Sequence, residues 1–137
     1  MTFAASMRIG SLEVLTAMAV FASMGLRMRT PPRLPSGPVR VQLEVQHQSR
    51  SRELAGVLPF VIGRSADTDL LILDPEVSRR HAILEAENGA VFLTDLQSRN
   101  GTYLNGRRIR ESIEVRPGDH VDVGTARILF QGSGPWT

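Results

Sequence analysis

The sequence predicts an all-β domain, an antiparallel sandwich or barrel, that begins at Val39 behind a non-β extension. Three observations predict it. Val39, Val41, Leu43 and Val45 alternate with Arg40, Gln42, Glu44 and Gln46, which is the period of a half-buried strand. Short β-rich runs then recur at close spacing, separated by turn-forming pairs. No amphipathic helical window of useful length follows residue 39, and no internal repeat is present.

Residues 1–27 are a different kind of sequence. Between Arg8 and Arg27 lies an apolar stretch of 18 residues, Ile9 to Leu26, whose only charge is Glu13. As a helix it would reach roughly 27 Å, against about 30 Å of bilayer hydrocarbon. Four readings stay open: a membrane anchor, a helix packed on the domain, a loose extension, and a misassigned start codon with Met7, Met24 or Met28 as the internal start. A cleaved signal is the weakest, because no clean cleavage site follows the apolar run. If residues 9–26 are an anchor, Arg27, Arg29 and Arg33 hold the rest of the chain in the cytoplasm. The expected location is therefore cytoplasmic, with or without a tether. Residues 28–38 read MRTPPRLPSGP; four prolines and a glycine forbid a regular helix and make this the linker.

The β-rich part is assigned residues 39–132, with 133–137 as a tail. After the first alternating strand the runs are Val57–Ile62, Leu70–Leu73, His81–Ala86, Val91–Leu96, Thr102–Leu104, His120–Val123 and Ala126–Phe130. The turn signals between them are Asp74-Pro75, Asn88-Gly89, Asn100-Gly101, Asn105-Gly106 and Pro117-Gly118-Asp119.

Composition narrows the function. Hydrophobic residues make up 42% and charged residues 22% of the chain, which fits a folded globule and excludes wholesale disorder. Cysteine is absent, so disulfides, thiolate metal sites and cysteine nucleophiles are excluded. All 16 basic residues are arginine, and the net charge is +2. Arginine-only usage fits a GC-rich, bacterial coding bias, and it equally fits a demand for forked donors to phosphate or carboxylate.

Catalysis finds little support. Ser78, His81 and Asp95 are the types of a nucleophile, base and orienter, yet no G-x-S-x-G elbow or oxyanion hole accompanies them. His47, His81 and His120 lack metal-ligand spacing. The run Gly101 to Arg108 imitates a phosphate-binding loop, but arginine and a β-like segment follow where lysine, a hydroxyl residue and a helix belong. No enzyme activity, cofactor or metal is expected.

The informative residues stand where turns should be. Gly63-Arg64 closes one run, Ser78-Arg79-Arg80-His81 opens another, and Ser98-Arg99-Asn100-Gly101-Thr102 joins two more. The loops of a sandwich cluster at its ends. Arginines, a serine hydroxyl and loop amides gathered there suit a phosphate dianion.

In this order Gly63-Arg64, Ser78-x-x-His81, Asn100-Gly101-Thr102 and Asn105-Gly106 resemble the forkhead-associated (FHA) domain family. The likeness runs from about Val39 to Gln131. It implies a β-sandwich of about eleven strands whose apical loops bind phosphothreonine peptides. By motif, Arg64 and Ser78 would hold the phosphate, with Arg64 buried or half-buried, and Arg79 would add a donor. Asn100 would bond the peptide main chain, with Arg99, Thr102 and Arg80 in the peptide-binding set. Gly63, His81, Gly101, Asn105 and Gly106 would be scaffold, His81 bracing the loop of Ser78. The implied partner is a phosphothreonine-containing protein, a Ser/Thr kinase or its substrate.

Two further functions compete. One is a phosphate-independent interaction module of the same fold. The other is nucleic-acid binding through Arg99, Arg107, Arg108 and Arg110; with only 5% aromatic residues a base-stacking platform is lacking, and no nucleic acid is expected. Thr30 in the linker is a candidate for phosphorylation and self-binding.

Overall fold

The computed structural model describes residues 37–134. Eleven strands follow one another: β1 (Arg40–His47), β2 (Arg50–Val57), β3 (Phe60–Gly63), β4 (Leu70–Leu71), β5 (Ala82–Glu87), β6 (Ala90–Asp95), β7 (Thr102–Leu104), β8 (Arg107–Arg108), β9 (Ile113–Val115), β10 (His120–Val123) and β11 (Ala126–Gly134). They form a six-stranded sheet in the order β2-β1-β11-β10-β7-β8 and a five-stranded sheet in the order β4-β3-β5-β6-β9. No helix occurs among the described residues. The apolar segment 9–26, Thr30 and most of the linker lie outside them.

Alternation builds the core. Val41, Leu43 and Val45 of β1, Ile128 and Phe130 of β11, and Val121 and Val123 of β10 are buried from one sheet. Phe60 and Ile62 of β3, Ala82 and Leu84 of β5, and Val91 and Leu93 of β6 are buried from the other. These apolar inner faces hold the two layers together.

The structure corrects the sequence reading in several places. The sandwich is mixed rather than purely antiparallel, because β3 and β4 run parallel through Ile62↔Leu70 and Gly63↔Leu71. The run Val57–Ile62 is not one strand: Val57 ends β2, a cis Leu58–Pro59 bond intervenes, and β3 starts at Phe60. Strand β2 was invisible because it is an outer strand with no buried residue and no apolar alternation. The short outer strands β8 and β9 also escaped. The tail assigned to 133–137 begins too early, since Ser133 and Gly134 pair with Val41 and Arg40.

The β1–β2 turn shows why β2 carried no signal. Asn88-Gly89 and Asn105-Gly106 take positive φ at both residues (52° and 80°; 51° and 84°), as tight two-residue hairpin turns require. Gln48 and Ser49 do the same at 52° and 62°, without a residue type suited to it. The double substitution Gln48→Asn/Ser49→Gly is therefore expected to stabilise the protein by about 1 kcal/mol. Urea denaturation checks this, and an unchanged or lower midpoint would count against the assigned turn.

Candidate functional site

Three segments meet at one end of the sandwich: the loop after β3, the Ile72–His81 connection between β4 and β5, and the 96–101 connection between β6 and β7. Backbone bonds join the first two. Arg64 N donates to Ser78 O at 3.0 Å, and Ser65 N donates to Arg79 O at 3.2 Å. Gly63 makes this approach possible, because a Cβ there would collide with the Arg79 carbonyl. Glycine is needed here for space, not for an unusual φ.

His81 joins the second segment to the third. It is fully buried. Its Nδ1 accepts the Ser78 backbone N–H at 3.0 Å, and its Nε2 lies 2.8 Å from Gly101 O. Accepting at Nδ1 places the ring proton on Nε2, where it is donated to that carbonyl. The Ser78 hydroxyl takes no part in this contact; it accepts the Arg99 backbone N–H at 3.0 Å. Asp95 is engaged elsewhere. Ser78, His81 and Asp95 therefore do not form a catalytic relay.

Asp95 shapes the third segment. Its carboxylate accepts the Ser98 hydroxyl and N–H and the Thr102 hydroxyl. Ser98 Oγ in turn accepts the Gly101 N–H at 2.9 Å. Burial pushes the Asp95 carboxyl up, and the hydrogen bonds from Ser98 and Thr102 outweigh it, so the net shift is downward. Thr102 is 0% exposed, which removes it from the peptide-binding set: a hydroxyl sealed against Asp95 cannot reach a ligand.

The candidate binding side chains lie on the outer surface of this frame. Arg64 Nε donates to Val77 O at 2.9 Å, and Asn100 Nδ2 donates to Glu76 O at 2.8 Å. Arg64 is exposed, contrary to the half-buried position expected, because a single backbone carbonyl and not a pocket fixes its stem. Arg79, Arg80, Arg99 and Asn100 are exposed as well, and Ser78 is half-buried. Arg64, Ser78, Arg99 and Asn100 are thereby gathered in one loop cluster. Asn105 and Gly106 lie apart, in the β7–β8 turn. There Asn105 Nδ2 donates to Asp119 Oδ1 at 3.0 Å, and its Oδ1 accepts the His120 N–H at 3.0 Å.

The FHA domain profile matches residues 60–124, which contain every one of these positions. The oxoglutarate dehydrogenase inhibitor of Corynebacterium efficiens is 32% identical over 97 residues, 71% of this chain and 68% of its own length. The chain belongs to the FHA domain family. The glycogen accumulation regulator GarA of Mycolicibacterium smegmatis is 35% identical over 97 residues, 71% of this chain and 61% of GarA. The chain thus spans only about three fifths of GarA. A solved FHA domain, studied for phosphothreonine-dependent interactions, superposes with a TM-score of 0.56 at 27% identity. That alignment covers 73% of this chain and 100% of the other.

One part of this FHA domain does more than its turn signal, Asp74-Pro75, suggests. Asp74, 5% exposed, sits at the start of the loop that carries Ser78. Its Oδ1 accepts the Glu76 N–H at 2.9 Å and its carbonyl accepts the Val77 N–H at 3.0 Å. Its Oδ2 accepts the Thr125 N–H at 3.0 Å and the Thr125 hydroxyl, and His47 Nε2 lies 3.5 Å away. The β10–β11 turn thus anchors the two residues whose carbonyls hold Asn100 and Arg64. An aspartate before a turn followed by proline was a legible signal for the local bond to Glu76; the bond to Thr125, 51 residues away, was not.

These bonds, the Thr125 hydroxyl first, hold the Asp74 carboxyl down from 3.8 to about 2. A lowered folded-state value stabilises the fold above the unfolded value and loses that contribution as pH falls through the folded one. The FHA domain is therefore expected to lose stability between about pH 4 and pH 2. Asp74→Asn should lower the neutral-pH plateau and flatten that acid limb, read from urea midpoints across pH. An identical acid limb in both proteins would remove Asp74 as its source.

Proposed function

We propose that this chain is a non-catalytic adaptor that reads phosphothreonine on a Ser/Thr kinase or on its substrate. The observation that carries the reading is the convergence of Arg64, Ser78, Arg99 and Asn100 on one rigid loop cluster. Arg64 spends one donor, Nε, on Val77 O, and its two terminal nitrogens extend past that anchor as a forked pair suited to phosphate oxygens. Ser78 Oγ and the loop amides add neutral donors, and the exposed Arg79 adds charge. Asn100, held by Glu76 O through one N–H, keeps a second N–H and its carbonyl for an extended peptide main chain. Arg80 and Arg99, both exposed in the same loops, are assigned to the peptide chain. GarA is by name a regulator, and the corynebacterial protein an inhibitor. The first name speaks of glycogen accumulation and the second of oxoglutarate dehydrogenase; a regulatory, non-catalytic role is the one assigned to this chain. Binding of this kind needs pre-organised donors and no bond-making chemistry.

Calorimetric titration of the full chain with phosphothreonine peptides, each paired with its unmodified twin, tests the reading. Heat confined to the phosphorylated members is expected. Equal binding of both members by folded protein would replace it with a phosphate-independent module.

A further inference from the structure

Arg108 lies across the candidate site's third loop. A Cβ placed on Gly101 would come within 2.7 Å of Arg108 Nε, so this arginine covers the backbone next to Asn100. Arg107, its neighbour in β8, and Arg110 extend the same stretch of chain, and all three are exposed. From Arg99 to Ile113 the sequence holds four arginines and one carboxylate, Glu111. Among the described residues the arginine–carboxylate pairs are Arg116–Glu114 and Arg127–Asp122, which leaves Arg107, Arg108 and Arg110 without an acidic partner there.

Strands β8 and β9 are the outer strands of the two sheets. A groove of about 860 Å³ opens beside them, lined by Leu104, Ile109 and Ile113 together with these three arginines and a single carboxylate, Glu111, so basic groups outnumber acidic ones there. Ile113 is 41% exposed. An extended segment laid here would meet the exposed Ile113, a free strand edge and arginines. Charge complementarity decides its chemistry: the segment is acidic. The apolar lining residues are aliphatic, so it offers no stacking platform for nucleic-acid bases.

We infer that this face is a second contact surface, taking acidic residues of the same partner whose phosphothreonine sits on the apical loops. The inference rests on the phosphothreonine reading, and the contact of Arg108 with Gly101 makes the two surfaces continuous. Exposed arginines of this kind add selectivity and speed association more than they add affinity.

The test uses the full chain and synthetic phosphothreonine peptides of equal length, flanked by glutamate, alanine or lysine, each with its unmodified twin. The unaltered protein should prefer the glutamate-flanked phosphopeptide over the alanine-flanked one by about tenfold at low salt, as three exposed ion pairs would give. High salt should shrink the preference. The triple variant Arg107→Gln/Arg108→Gln/Arg110→Gln should abolish the preference yet still discriminate phosphorylated from unmodified peptide. Because Arg108 packs on Gly101, the double variant Arg107→Gln/Arg110→Gln serves if the triple fails to fold, and should lose most of the preference. Equal affinity for both flanks, or a preference that survives the substitutions, overturns the inference. So does a duplex oligonucleotide that binds more tightly than the acidic peptide and loses affinity in the same variants. Failure of the unaltered protein to distinguish phosphorylated from unmodified peptides would instead overturn the phosphothreonine reading.

Discussion

Arg64→Ala is expected to weaken phosphothreonine-peptide binding by at least about a hundredfold while the domain stays folded. The magnitude follows from removing two charge-assisted hydrogen bonds to a dianion, each worth about 1.5–3 kcal/mol. The folded state loses much less. Arg64 is exposed, and its side chain bonds Val77 O, so the stability cost is about 1 kcal/mol. Arg64→Lys is informative for the same reason. Lysine can offer charge, but it cannot donate to Val77 O from mid-chain and still present a fork. It should therefore bind nearer to the alanine variant than to the unaltered protein. Calorimetry with one phosphopeptide, beside urea denaturation of each variant, separates the effects. Full affinity in Arg64→Ala would remove Arg64 from the site.

Gly63→Ala is expected to act in the opposite way, through the fold. The added methyl would strike the backbone carbonyl of Arg79, and backbone cannot swing aside as a long side chain can. The segments forced apart are those joined by Arg64 N to Ser78 O and Ser65 N to Arg79 O. A loss of about 3 kcal/mol or more is expected, with phosphopeptide binding lost in parallel because Ser78 and Arg64 move with their backbones. The neighbouring Ile62→Val, a deletion from the core of the same strand, should cost only about 1 kcal/mol. A urea midpoint for Gly63→Ala equal to that of the unaltered protein would mean that the Ser78 loop can retreat without cost.

Both expectations start from residues that stood out in the sequence, yet for different reasons. Arg64 was conspicuous as a charge at the end of an apolar run. Gly63 was conspicuous only through its motif, since at its φ any residue is tolerated and the constraint is the proximity of Arg79, 16 positions away. Asp74 and Thr125 show the limit more sharply. Nothing local links them, and their bond exists because the β10–β11 turn and the Ser78 loop end up at the same end of the sandwich. Thr102 failed in the reverse direction. Its place in the loop motif suggested a ligand contact, and only the burial against Asp95 shows that the loop folds its hydroxyl inward.

The sequence by itself determined the fold class, the order of the buried strands and the identity of the polar loops, because alternation, turn chemistry and motif spacing are local properties. The tertiary structure decided three things that depend on distant neighbours. It paired the outer strands β2, β8 and β9, whose few buried side chains leave little pattern to read. It brought Arg64, Ser78 and Asn100 together through backbone and side-chain bonds between segments far apart in the chain. It also set which polar groups face inward, because burial is fixed by what packs against a residue and not by the residue alone.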